Sequence, residues 1–60
     1  MRVIYQYATG IPQVIDDVTE IGLNQYHDSS SNIYVLFLNH GEPDMVNLNL
    51  TMLSAFKVIQ

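Results

Sequence analysis

Residues 33–38, Ile-Tyr-Val-Leu-Phe-Leu, constrain what this 60-residue chain can fold into more than any other segment does. Side chains alternate along an extended strand, so Ile33, Val35 and Phe37 share one face while Tyr34, Leu36 and Leu38 share the other. Both faces are apolar. A single antiparallel sheet ordinarily leaves one face to water, so a strand of this composition has to be covered twice. A chain this short buries only about 60% of the surface its unfolded form exposes. It has no cysteine, so neither a disulfide nor a thiolate metal site adds constraint. Self-association is the remaining route, and a two-fold homodimer is the expected form. The candidate interface residues are Tyr34, Leu36 and Leu38, with the strand tyrosines Tyr5 and Tyr7.

The rest of the chain is punctuated into similar short pieces. Residues 2–8 are rich in β-branched and aromatic types and stop at Thr9-Gly10-Ile11-Pro12, which predicts a strand and a turn. Residues 33–39 form the strongest strand and stop at His40-Gly41-Glu42-Pro43-Asp44, a second turn. Between Tyr26 and Ile33, His-Asp-Ser-Ser-Ser-Asn has the composition of an exposed, mobile hairpin loop. In residues 45–50, Val46, Leu48 and Leu50 alternate with Asn47 and Asn49, the period of a half-buried strand. Phe56 and Val58 share a face of a terminal strand with Lys57 opposite, and residues 51–55 make a tight connection with room for a helical turn.

Residues 13–26 carry two readings. Val14, Val18 and Ile21 fit helical spacing, with Pro12 before and Gly22 after, which allows a short helix at 13–22 and an α+β fold. The β-branched Val14, Ile15, Val18, Thr19 and Ile21, and an Asp16-Asp17 pair suited to a turn, favour two short strands. An internal repeat supports strands. Gly10-Ile11-Pro12 is echoed by Gly41-Glu42-Pro43, and Val18-x-x-Ile21-x-Leu23 by Leu53-x-x-Phe56-x-Val58, which implies two similar strand-turn-strand units. The expected fold is a single all-β domain over residues 1–60, a small antiparallel meander or barrel-like sheet of five or six short strands.

Catalytic and metal chemistry find little support in the residue pattern. His27 and His40 are the chain's two histidines, but no cysteine is present and the two do not stand at helical spacing, so His40 through Asp44 reads as a solvated turn. His27, Asp28 and Ser29 to Ser31 are loop neighbours, whereas a nucleophilic triad needs side chains converging from a rigid scaffold. Asp16, Asp17 and Glu20 lack the alternating ligands and glycine of a calcium loop and read as a solvated turn. No glycine-rich phosphate cradle is present, and no cofactor is expected. Asn49-Leu50-Thr51 matches the glycosylation sequon by chance, since no signal peptide is evident.

Charge narrows the partners. Six acids against Arg2 and Lys57 give a net charge of −4, whereas proteins that grip nucleic acid or anionic membranes need several cations. Tyrosines on strands can stack bases, but without surrounding lysines they suit a core edge or a protein interface better. The longest apolar run is six residues, too short to span a bilayer, and a cytoplasmic location is expected.

With Ile4-Tyr5-Gln6-Tyr7 on the first strand, the Val18 and Ile21 step, and the final Leu53, Phe56 and Val58, the chain resembles the short β proteins encoded by bacteriophages and prophages of Gram-positive bacteria. That resemblance implies a small, non-enzymatic accessory protein acting by protein–protein contact, with itself and with another protein. The alternative is an acidic decoy that inhibits a host nucleic-acid-binding protein.

Overall fold

The computed structural model describes residues 1–25 and 30–60. Its elements are β1 (Arg2–Tyr7), β2 (Gln13–Ile15), β3 (Val18–Gln25), β4 (Ser31–Asn39), β5 (Glu42–Asn49), a 3-10 turn (Leu50–Met52) and β6 (Leu53–Ile59). All pairings are antiparallel and give two three-stranded sheets, ordered β2-β1-β6 and β3-β4-β5. The all-β expectation holds, and the helix over 13–22 is not formed. Asp16 and Asp17 make the corner between β2 and β3. Asp17 adopts a φ of 57°, a left-handed conformation that a short polar side chain tolerates.

That corner joins the sheets. The Val18 N–H donates to the Met1 carbonyl at 2.9 Å, and the Met1 ammonium donates to the Val18 carbonyl at 3.3 Å. The chain therefore follows β1 through β2, bends, and continues as β3 against β4. Val3, Val18, Val35 and Leu48, one from each of β1, β3, β4 and β5, are the buried core. Tyr5, Ile21, Ile33, Phe37 and Phe56 pack around them. Ile33, Val35 and Phe37 are thus the inward face of β4.

Several boundaries differ from the sequence reading. The β4–β5 turn is only His40 and Gly41, at φ 53° and 81°, the paired positive angles of a tight primed hairpin. Glu42, Pro43 and Asp44, read as turn, begin β5 instead. Proline is accepted there because β5 is an edge. The Met45 N–H donates to the Asp44 carboxylate at 2.8 Å rather than to β4, which puts it, and the Pro43 nitrogen two residues earlier, on the open side. Ser31 and Asn32, assigned to the polar loop, pair with Gln25 and Asn24, while its residues 26–29, with His27 and Asp28, lie outside the described residues. Leu50 leaves the Val46–Leu48 face and starts the 3-10 turn. Asn49 caps that turn, its Oδ1 accepting from the Thr51 N–H at 3.0 Å and the Thr51 hydroxyl at 2.8 Å. β6 begins at Leu53, earlier than the Phe56–Val58 pattern indicated.

The repeat has a structural counterpart. β1 is the centre of one sheet and β4 of the other, and each pairs with β3 or β6 across a bulge. At the two bulges, the Thr19 hydroxyl donates to the Leu36 carbonyl and the Ser54 hydroxyl to the Gln6 carbonyl, both at 3.2 Å. Just before them, the Leu38 N–H reaches the Asp17 carbonyl at 3.1 Å and the Ala8 N–H the Met52 carbonyl at 3.0 Å. The Val18 and Leu53 motifs therefore occupy equivalent places. The Gly-x-Pro match does not carry over, since Pro12 precedes β2 and Pro43 lies within β5.

Candidate interaction surface

The outer face of β3-β4-β5 is the surface that the Ile33–Leu38 alternation singles out. Tyr34, Leu36 and Leu38 point away from the core. Across the ladders, Gly22 pairs with Tyr34 and Glu20 with Leu36 on one side, while Asn47, Met45 and Pro43 pair with Tyr34, Leu36 and Leu38 on the other. Leu36 is half-buried, Leu38 is 41% exposed and Met45 53%. Together with the exposed Pro43, these side chains form an apolar band near the β4–β5 turn. The far end of the face is polar, with Asn24, Asn32, Asn47 and Asn49.

Tyr34 is held in place at the border between the two zones. Its ring lies across Gly22, where a Cβ would overlap the ring, so the absent side chain makes room for the aromatic one. Its hydroxyl donates to Glu20 Oε2 at 3.1 Å. That hydrogen bond, and the negative charge beside the phenol, hold the Tyr34 pKa above its ordinary 10.0. Glu20 was grouped by sequence with the acids of a solvated turn. It stands within β3, opposite Leu36, because the bulge at Thr19 shifts the register by one residue.

Tyr5 and Tyr7 do not join this surface. They share the inward face of β1 with Val3, pack edge-to-face with ring centroids 5.8 Å apart, and rim the core. The Tyr7 hydroxyl accepts from the Asn49 N–H at 3.4 Å. Of the five candidate interface residues, the fold brings Tyr34, Leu36 and Leu38 together and places Tyr5 and Tyr7 on the core side. Met45, Pro43 and Glu20 enter the surface only through strand register, which no single strand's sequence reveals.

Among the described residues, the titratable groups outside this face are dispersed. His40 sits at the turn and, with Val14, Asp16, Asp17 and Phe37, lines an open cleft of about 430 Å³. Asp16 is paired to the Arg2 Nε at 2.6 Å, an exposed ion pair worth at most about 1 kcal/mol. Among the described residues no three His, Cys, Asp or Glu side chains are placed to hold a metal ion. None of the helical residues described is part of a segment long and apolar enough to cross a membrane. Comparison with protein-family models, with curated proteins and with solved structures finds no match for this chain.

Proposed function

We propose that this chain is a non-enzymatic interaction module, a small accessory protein of the kind its phage and prophage resemblance implies, which binds a protein partner through the outer face of β3-β4-β5. The observation that carries the reading is the apolar band of half-buried Leu36 with exposed Leu38, Pro43 and Met45 on the back of a strand whose other face is core. Exposed apolar side chains grouped in this way mark contact surfaces. The partner's chemistry follows from charge. Among the described residues Glu20 is the charge on this face, and Arg2 and Lys57, the only Lys and Arg of the chain, belong to β1 and β6 of the other sheet. A partner that sets apolar side chains on the band and a basic one near Glu20 complements it.

The reading is tested by titrating the protein with an amphipathic peptide of alternating Leu and Lys and with its Leu and Glu counterpart. Backbone amide shifts should cluster at Leu36, Leu38 and Met45 for the basic peptide and weaken in Leu38→Ser. Equal response to both peptides, or shifts confined to other elements, would remove the proposal. The acidic decoy is favoured by Glu20, Glu42 and Asp44 on β3 and β5, whereas both cations belong to the other sheet and Asp16 is paired to Arg2. It differs in outcome: partner capture would then be competed by duplex DNA, lost at high salt and indifferent to Leu38→Ser.

A further inference from the structure

The reciprocal hydrogen bonds between Met1 and Val18 set the direction of every backbone group in the first sheet. Met1 faces the β2–β3 side, so by antiparallel alternation Val3 and Tyr5 do too, and Arg2, Ile4 and Gln6 face β6. Their partners on β6 are Ile59, Lys57 and Ala55. The remaining residues, Phe56 and Val58, therefore direct their N–H and C=O groups outward, to the side of β6 where no strand pairs.

Other edges are blunted. β2 is three residues long and follows Pro12. β5 has Pro43 on its open side, and the Asp44 carboxylate occupies the Met45 N–H. β3 carries the charge of Glu20 and the strand-weakening Gly22. Residues 55–59 of β6, Ala-Phe-Lys-Val-Ile, contain no proline, glycine or acid, and Val58 and Ile59 are each 37% exposed.

From this edge we infer that the chain self-associates by pairing β6 with β6 of a second copy about a two-fold axis, which joins two three-stranded sheets into one of six strands. The inference goes beyond the proposed partner surface and does not use it. Three observations name a second copy as the occupant. The chain is acidic, and among the described residues β1 and β6 carry both cations and no Asp or Glu, so two such chains meet there with least repulsion. The register also closes well. With Phe56 opposite its own copy, the outward backbone groups of the two Phe56 residues meet and Lys57 stands opposite Ala55. The other pairing of outward groups nearby, Phe56 opposite Val58, would set Lys57 against Lys57. Finally, the surface of 4347 Å² exceeds the roughly 4,000 Å² typical of a monomer of this mass. The radius of gyration, 11.7 Å, likewise exceeds the roughly 10 Å of a compact chain this long.

Sedimentation equilibrium from micromolar to millimolar concentration, with amide hydrogen exchange on the same samples, tests this. The expected result is a dimer in which exchange at the Phe56 and Val58 amides slows as concentration rises. Val58→Pro removes an outward N–H that β1 does not use, so it should keep the native circular dichroism and weaken association at least about tenfold. A monomer throughout, a dimer whose Phe56 and Val58 amides exchange freely, a larger open assembly, or a folded Val58→Pro that still dimerises would each overturn it. Should Val58→Pro not fold, the wild-type exchange pattern decides alone.

Discussion

Gly22, Tyr34 and Glu20 form one unit on neighbouring strands. The ring occupies the space a side chain at position 22 would need, and the hydroxyl is tied to the carboxylate two residues back. Gly22→Ala should therefore displace the ring from Glu20, and because its far end can swing outward the cost should stay below about 1 kcal/mol. Chemical denaturation measures it, and combining it with Tyr34→Ala should recover most of the loss. The same geometry predicts a titration. The folded pKa of Tyr34 is raised, so the interaction is fully present below its unfolded value near 10.0 and is lost as pH climbs through the folded one. Glu20→Gln removes the charge, and absorbance of the phenolate should show Tyr34 titrating at lower pH than in the wild type. Equal titration curves would separate the two side chains in solution. Sequence announces a glycine and a tyrosine on two strands, but only the strand register sets one over the other.

At the scale of elements, the two bulges carry the repeat. Thr19 and Ser54 each use a hydroxyl to reach the carbonyl of the opposing strand where the ladder skips a residue. Thr19→Ala and Ser54→Ala should then destabilise by similar amounts, about 0.5–1.5 kcal/mol each, and additively, since they stand on different sheets. A large effect at one and none at the other, by thermal unfolding, would mean that the equivalence is geometric only. The sequence pattern Val-x-x-Ile-x-Leu and Leu-x-x-Phe-x-Val locates these strands because the inward residues keep their period on the far side of each bulge. The hydroxyls between them gave no such signal, since a bulge is defined by two strands together.

For the molecule as a whole, the small core leaves little margin. Among the described residues four are buried, and a domain of this size seldom holds more than about 3–5 kcal/mol. Val35→Asp would bury an unpaired charge at a fully enclosed position and should abolish folding, as circular dichroism would report. Leu36→Asp, on the same strand but facing out, should fold with a loss of about 1 kcal/mol, typical of a partly exposed site. A reversed ranking would exchange the two faces of β4.

The sequence marks the strands, since β-branched and aromatic runs between Gly, Pro and Asp are local properties, though it leaves residues 13–22 open to a helix and reads Glu42, Pro43 and Asp44 as turn. It also determined that Val35 and Leu36 face opposite ways, since alternation is built into the extended backbone. It marked Asp16 and Asp17 as the corner that replaces a helix. Strand pairing is what sets Tyr5 and Tyr7 at the rim of the core and Glu20 and Met45 beside Leu36. The structure likewise decided that Phe56 and Val58 turn their backbone groups outward. Each of those facts depends on which strands become neighbours and in what register. Register is a relation between segments far apart in the chain, and it is settled by how their apolar faces close on one core.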